Sequence, residues 1–221
     1  MNRLAFSDGS AFRNSFSQVF ASPATAAGYG TWGHIMAHEV LHSYNGSGGL
    51  VPERQEEWSK EGFTDYLAAV HLVRAGLTDV ATFAARVASA GRSYEARTRG
   101  ISIRDAGADK FTHRGLVYGG GLLAALMLDV DMRTATGERV GVSELLGALY
   151  GDSPSRRYDL DDVVDAVARL ASDEAASRLR DRITGVDTLD WRRAVRALGL
   201  DPAEPPGDGD QARRLRAAIL E

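Results

Sequence analysis

Residues 33–44 read GHIMAHEVLHSY, and the spacing within this stretch decides the class of fold. Thr31 is one of the residue types that cap a helix N-terminus, and the flexible residues 45–49, Asn-Gly-Ser-Gly-Gly, end the pattern. The apolar positions of the helix are supplied by Ile35, Met36, Val40 and Leu41. The sequence therefore predicts a helix from about Gly33 to Tyr44.

Two histidines stand four residues apart in this helix, with a glutamate directly after the first. Residues at that spacing lie one above the other on one face, so the imidazoles of His38 and His42 can converge on one zinc ion. Glu39 is offset by about 100° around the helix axis, which allows its carboxylate to act on a water at the metal without being a ligand. The alternative is an amphipathic helix whose histidines make ordinary hydrogen bonds.

A third ligand is expected from a second helix, predicted from about Gln55 to Arg74. A catalytic zinc takes three protein ligands and leaves one position for water, and Glu61 follows His42 after eighteen intervening residues. Asp65 lies one turn beyond Glu61, where it can accept the free ring N–H of a ligating histidine; the alternative for it is a solvated helix charge. His34 could contribute but is not needed for three ligands.

The HExxH motif followed by a glutamate after eighteen residues resembles the gluzincin metallopeptidases. HEVLHSYN (38–45), WSKEGFTDY (58–66) and VYGGGLLAALMLDVDMR (117–133) narrow this to the glycyl aminopeptidase family, the M61 peptidases, which are related to the M1 aminopeptidases. The resemblance spans about residues 30–200. It implies a mainly α, thermolysin-like helical catalytic domain over residues 1–200. The family's upstream β-rich portions and C-terminal PDZ-type domain have no counterpart in this sequence.

The resemblance also implies a role for Tyr118. In both families a tyrosine that begins a Tyr-x-Lys-Gly stretch donates a hydrogen bond to the tetrahedral oxyanion, and the matching residues here are Tyr118-Gly119-Gly120-Gly121, with Gly120 in place of the lysine. A neutral phenol is a donor whose hydrogen bond strengthens as the carbonyl oxygen gains charge. The alternative is a tyrosine that anchors the start of a helix.

The related aminopeptidases bind the substrate's free amine through a glutamate shortly before the zinc helix. No aspartate or glutamate occurs between Gly9 and His38, and Asp8 is the nearest acidic residue. An ammonium group placed there would lose water without gaining an ion pair. We therefore expect any peptidase activity to tolerate N-terminally blocked substrates.

Composition bounds the remaining possibilities. A chain of 221 residues with 44% hydrophobic residues can bury one substantial core. The net charge of −4, mixed along the chain, gives no electrostatic footprint for nucleic acid or an anionic membrane. The absence of cysteine excludes disulfides and thiolate metal sites. Lys60 and Lys110 are the two lysines among many arginines, which we interpret as a compositional habit. Without a signal-peptide pattern, a cytoplasmic location is expected.

Elsewhere the sequence is mostly helical. Residues 10–20 fit either a helix or a short edge strand or hairpin, and residues 201–221 read as a Pro/Gly-rich acidic linker followed by a short helix. Further helices are predicted near 79–90, 115–134, 142–150, 159–171, 173–183 and 188–198.

These features predict a zinc-dependent metallopeptidase that hydrolyses peptide substrates, with Glu39 as the general base. Two alternatives remain at this point. One is a degenerate domain that keeps the fold and acts as a binding module, and the other is a zinc hydrolase for a non-peptide substrate. Retention of Glu39 argues against the first, because a binding module has no use for a general base.

Overall fold

The computed structural model describes residues 8–12, 15–19, 26–46, 48–96, 100–153, 155–201 and 209–221. Most of them are helical, so the predicted mainly α fold is confirmed. The helices are α1 (Ala26–Leu41), α2 (Glu57–Arg74), α3 (Val80–Glu95), α4 (Ile103–Ala106), α5 (Gly121–Thr136), α6 (Val142–Asp152), α7 (Leu160–Leu170), α8 (Asp173–Thr184), α9 (Trp191–Ala197) and α10 (Gly209–Leu220). The strands are β1 (Asp8–Phe12), β2 (Ser15–Val19), β3 (Val51–Pro52) and β4 (Arg157–Tyr158).

The N-terminal stretch, for which the sequence allowed a helix or a strand, is a hairpin. Strand β1 pairs antiparallel with β2, with Gly9 opposite Gln18. The hairpin packs on α1, and the Gln18 side-chain amide donates to the carbonyl of Trp32 at 2.7 Å.

Helix α1 starts earlier than predicted, at Ala26, so the prediction that Thr31 caps it is wrong. The alanines at 26 and 27 are strong helix formers and continue the helix towards the N-terminus. At the other end α1 stops at Leu41, yet the backbone N–H of His42 still donates to the carbonyl of His38 at 3.2 Å. The two histidines therefore keep the stacking that one helical turn provides.

The centre of the fold is the packing of α2 against α5. A methyl carbon added to Gly62 would lie 2.3 Å from the carbonyl carbon of Gly121, so the two backbones touch at these glycines. Buried polar groups add to this contact, since the Tyr66 hydroxyl donates to Asp129 at 2.5 Å and Arg133 donates to the same carboxylate at 3.0 Å. The apolar stretch Gly115–Thr136 is long enough to cross a membrane, but 89% of its most apolar window is buried inside the fold, as in a core helix.

The predicted helix 115–134 has two parts. Residues Gly115–Gly120 form a π-helical turn that leads into α5. Glycine at 119 and 120 fits this turn closely, because a methyl carbon at Gly120 would lie 3.1 Å from the Tyr94 ring. The lysine expected at position 120 from the family pattern would therefore start from a crowded, buried position.

A short parallel pair, β3 with β4, was not predicted from the sequence. It brings the Tyr158 hydroxyl to the loop after α1, where it donates to the side-chain oxygen of Asn45 at 2.8 Å. Asn45 in turn donates to the carbonyl of Ser59 in α2 at 3.0 Å. Asn45 thus ties the start of the loop between the two predicted metal-binding helices to both β4 and α2.

The remaining predicted helices are present, with ends shifted by a few residues. Residues 202–208 of the predicted 201–210 linker lie outside the described residues, and the helix after it begins at Gly209, before the predicted end of the linker. The C-terminal helix α10 packs on the core, where Leu215 and Ile219 are buried and Arg74 of α2 donates to the carbonyl of Ile219 at 2.9 Å.

Candidate metal centre

The fold brings the three predicted metal ligands together. The Nε2 atoms of His38 and His42 each lie 3.2 Å from Oε2 of Glu61, and all three residues are buried. Ligand atoms about 2.0–2.1 Å from a tetrahedral zinc are roughly 3.3–3.4 Å apart. Two imidazoles and one carboxylate at these separations therefore fit a single ion.

Each histidine has its other ring nitrogen engaged. Nδ1 of His42 donates to the carbonyl of Asn45 at 3.0 Å, and Nδ1 of His38 lies 3.3 Å from Oδ1 of Asp65. These contacts select the tautomer in which Nε2 carries the lone pair that a metal needs. Asp65 thus lies where the sequence placed it, behind His38.

The second oxygen of Glu61 is held by a lysine that the sequence did not single out. Nζ of Lys110 donates to Oε1 of Glu61 and to Glu57, each at 2.7 Å, and Lys60 lies 3.4 Å from the same Glu61 oxygen. This contact leaves Oε2 of Glu61 directed at the histidines. Both lysines of the chain lie against these carboxylates. The use of lysine at these two positions alone, in a chain otherwise rich in arginine, was therefore a signal of function and not only a compositional habit.

A second group of metal-type ligands adjoins the first. Nε2 of His34 lies 2.5 Å from Oδ1 of Asp65, and His34, His38 and Asp65 are close enough to hold an ion as an alternative set. The two sets share His38 and use its opposite ring nitrogens. Both sets border a cavity that also contains Glu39, but the 2.5 Å contact between His34 and Asp65 is a hydrogen-bond distance, shorter than the spacing of two ligands on one zinc ion.

The charges of the two carboxylates and of His38 reinforce one another. Burial alone raises the pKa of Glu61, but the two histidines and Lys110 hold it well below its usual value. In the same way His34 and His38 hold the pKa of Asp65 far below its usual value despite burial. Burial lowers the pKa of His38, yet Asp65 and Glu61 raise it to about 9 in the metal-free chain. The centre is therefore built around two ionised carboxylates, which suits a divalent cation.

Glu39 points from α1 towards the hairpin. It is buried, and a methyl carbon added to Gly9 of β1 would lie 2.7 Å from its Cγ and 2.8 Å from its Oε1. Only a residue without a side chain lets β1 lie against this carboxylate. Glu39 and Gly9 both line a cleft of about 430 Å³ that also contains His42, Glu61 and Tyr118.

Tyr118 lies across the cleft from α1, in the π-helical turn. Its ring stacks near that of His38, with 6.2 Å between centroids and 22° between planes, and the Arg114 guanidinium lies 4.8 Å from its centroid. Burial, together with the Glu61 carboxylate, raises the pKa of the Tyr118 phenol. The hydroxyl is therefore a protonated donor at the edge of the metal centre.

No protein-family model matches the chain, and no curated protein matches it in sequence. Its fold is similar to that of an aminopeptidase N family protein from Idiomarina loihiensis, with a TM-score of 0.75 and 19% sequence identity. The match covers 86% of this chain and 38% of that chain, so this chain spans well under half of that protein's length. At this identity the likeness shows an aminopeptidase-like fold, and the chemistry has to be argued from the site.

Proposed function

We propose that this chain is a zinc-dependent metallopeptidase domain that hydrolyses peptide bonds. The observation that carries the proposal is the convergence of the Nε2 atoms of His38 and His42 on Oε2 of Glu61, at 3.2 Å each, beside an open cleft. Two histidines and one carboxylate are a common ligand set of catalytic zinc. The aminopeptidase N family fold of the structural neighbour supports the same proposal.

The residues around the centre have complementary roles. When bound, zinc polarises a carbonyl and lowers the pKa of a coordinated water towards about 7. Glu39 accepts a proton from the attacking water and returns it to the nitrogen of the leaving amine, so that proton balance is kept. Tyr118 donates a hydrogen bond to the carbonyl oxygen as negative charge develops on it. Asp65 and Lys110 orient His38 and Glu61 through the contacts described above.

Zinc content and peptide hydrolysis of the same preparation test the proposal. We expect one zinc per chain after reconstitution, and hydrolysis of members of a peptide library that a chelator abolishes. His42→Ala should lose the zinc, because it removes one of three protein ligands. Glu39→Gln should keep the zinc and lose about 10²- to 10⁴-fold in turnover, because the amide cannot act as a base.

Two results would contradict the proposal. Undiminished zinc in His42→Ala would show that these residues are not the ligands. Stoichiometric zinc without hydrolysis of any library peptide would leave a metal-holding binding module instead.

A further inference from the structure

The cleft continues past Tyr118 into a cavity that holds two arginines beside the carboxylates of Glu39 and Asp65. A space of about 230 Å³ beside His38 and Glu39 is lined by Arg86 and Arg114. It adjoins a larger cavity of about 670 Å³ that shares both arginines and Asp65 and is also lined by the hydroxyl groups of Thr31, Thr82, Ser89 and Ser93. The two arginines therefore face the space that leads away from the metal centre.

Arg86 stands out because it has no anion of its own. In the described part of the chain it makes no hydrogen bond or ion pair, whereas Lys60 and Lys110 are paired with Glu57 and Glu61. Asp65 acts on it electrostatically without forming an ion pair, and this carboxylate is already paired with His34 and His38. A half-buried guanidinium without an anion has lost hydration and gained little in return.

Arg114 adds a second cation on the same side. Its guanidinium lies over the Tyr118 ring at 4.8 Å, and no carboxylate of the described residues lies within ion-pair distance of it. A planar guanidinium presents paired N–H groups that match the two oxygens of a carboxylate. Two such groups beside hydroxyls make this end of the cleft complementary to an anion.

We propose that Arg86, assisted by Arg114, forms a subsite for a substrate carboxylate, so that the preferred substrates are peptides with an acidic group close to the scissile bond. The inference rests on the proposed peptidase function. One extended residue spans at most about 3.6 Å, and Arg86 lines the same small cavity as His38, so the carboxylate lies one or two residues from the bond that is cut. It is either the C-terminal α-carboxylate of a short peptide or an Asp or Glu side chain.

The test measures binding without turnover, in the zinc-loaded Glu39→Gln background. One short peptide is compared as the free acid and as the C-terminal amide, and a third, amidated peptide carries Glu in place of Gln near its end. Isothermal titration calorimetry gives the Kd of each with and without Arg86→Gln. Arg92→Gln is the matched control, since Arg92 is exposed on the same helix α3 and lines neither cavity.

We expect one acidic peptide to bind about 10- to 100-fold more tightly than its neutral counterpart, the range for charge-assisted hydrogen bonds. The difference should disappear in Arg86→Gln and persist in Arg92→Gln. Arg86→Lys, which keeps the charge without the planar fork, should retain part of it. The peptide that shows the preference identifies the source of the carboxylate.

Three outcomes overturn the subsite: equal Kd values for acidic and neutral peptides, no measurable binding of either, or a preference that survives Arg86→Gln. The last would mean that the carboxylate binds elsewhere, for example at the metal. Failure of the proposed function is seen separately in the wild-type chain. A wild type that cleaves no peptide while the Arg86-dependent preference persists contradicts the peptidase and keeps the subsite. Efficient cleavage by the wild type without a preference for acidic peptides supports the peptidase and contradicts the subsite.

Discussion

His38 lies between two carboxylates, with Nε2 3.2 Å from Glu61 and Nδ1 3.3 Å from Asp65. The first contact lies on the side of the candidate metal site, and the second fixes the tautomer of the ring. Because Asp65 also accepts from His34 at 2.5 Å, a single aspartate orders two buried rings. A change at this residue should therefore be felt both in metal binding and in stability.

Asp65→Ala should weaken zinc affinity about 10- to 100-fold without removing a ligand, as loss of a carboxylate behind a ligating histidine usually does. It should also lower stability, since a buried His34 nitrogen loses its acceptor. Competition with a chromophoric chelator measures the affinity, and Asp165→Ala, an exposed carboxylate on α7, serves as control. Equal zinc affinity in Asp65→Ala and wild type would mean that Asp65 does not support metal binding and that its contacts with the two histidines are purely structural.

Tyr118→Phe should lower kcat with little change in KM, because its hydrogen bond strengthens mainly as charge develops in the transition state. The raised pKa of the phenol means that this donor stays protonated across the neutral range. Steady-state kinetics on one good peptide substrate decide the point. An unchanged kcat would reject the role in oxyanion stabilisation.

Single residues differ in how far the sequence could predict them. His38, Glu39 and His42 depend on local helical spacing, so periodicity was enough to predict the two histidines on one face and Glu39 about 100° away from them. Lys110 could not be predicted, because its partner Glu61 lies forty-nine positions away and the two meet only through the packing of α2 and the loop after α4. Arg86 was missed for a related reason, since an arginine on a helix face reads as solvated until the fold shows a cavity in front of it.

At the scale of the elements, the position of Glu61 depends on how closely α2 approaches α5. Gly62→Ala should destabilise the fold by roughly 1–3 kcal/mol, the usual cost of overpacking, because the added methyl group would lie 2.3 Å from a backbone atom of Gly121. Thermal unfolding measures the loss, at about 2–4 °C per kcal/mol for a chain of this size.

The control for this change is Gly147→Ala on α6, where the added methyl group meets nothing within 4 Å. That variant should be neutral or gain up to about 1 kcal/mol from helix propensity. If Gly62→Ala proved as stable as Gly147→Ala, the contact of the two backbones would not be holding α2 in place.

The elements themselves were predicted where they depend on local pattern. Helices α6 to α10 follow their apolar periodicity and capping residues, such as Asp159 and Ser172, whose side chains accept from the first turns of α7 and α8. The early start of α1, the π-helical turn and the β3–β4 pair were not predicted. The β3–β4 pair arises from contacts between distant segments, which no window of sequence contains.

At the scale of the whole molecule, strand β1 borders the cleft with Gly9 against Glu39 and brings no acidic residue between Gly9 and His38. Glu39, the carboxylate beside Gly9, is assigned to the attacking water, so a free substrate ammonium would be desolvated there without a carboxylate of its own. We expect N-acetylated peptides to be hydrolysed at least as fast as the same peptides with free amines, measured as kcat/KM. A strong preference for the free amine that survives Asp8→Ala would mean that another group recognises it.

The candidate ligands are divided between α1 and α2, and the outward side of α1 leaves Met36 and Val40 exposed. A bound ion would therefore cross-link the two helices, and every fluctuation that separates them would have to release the ion. Amide protons that exchange through such openings should exchange more slowly when free zinc is present. At a free zinc concentration of one hundred times Kd, the free energy of these openings should rise by about 2.7 kcal/mol. Protons exposed by fraying of α8 or α9 should exchange at a zinc-independent rate. Deuterium uptake would therefore map which motions the bound ion restrains.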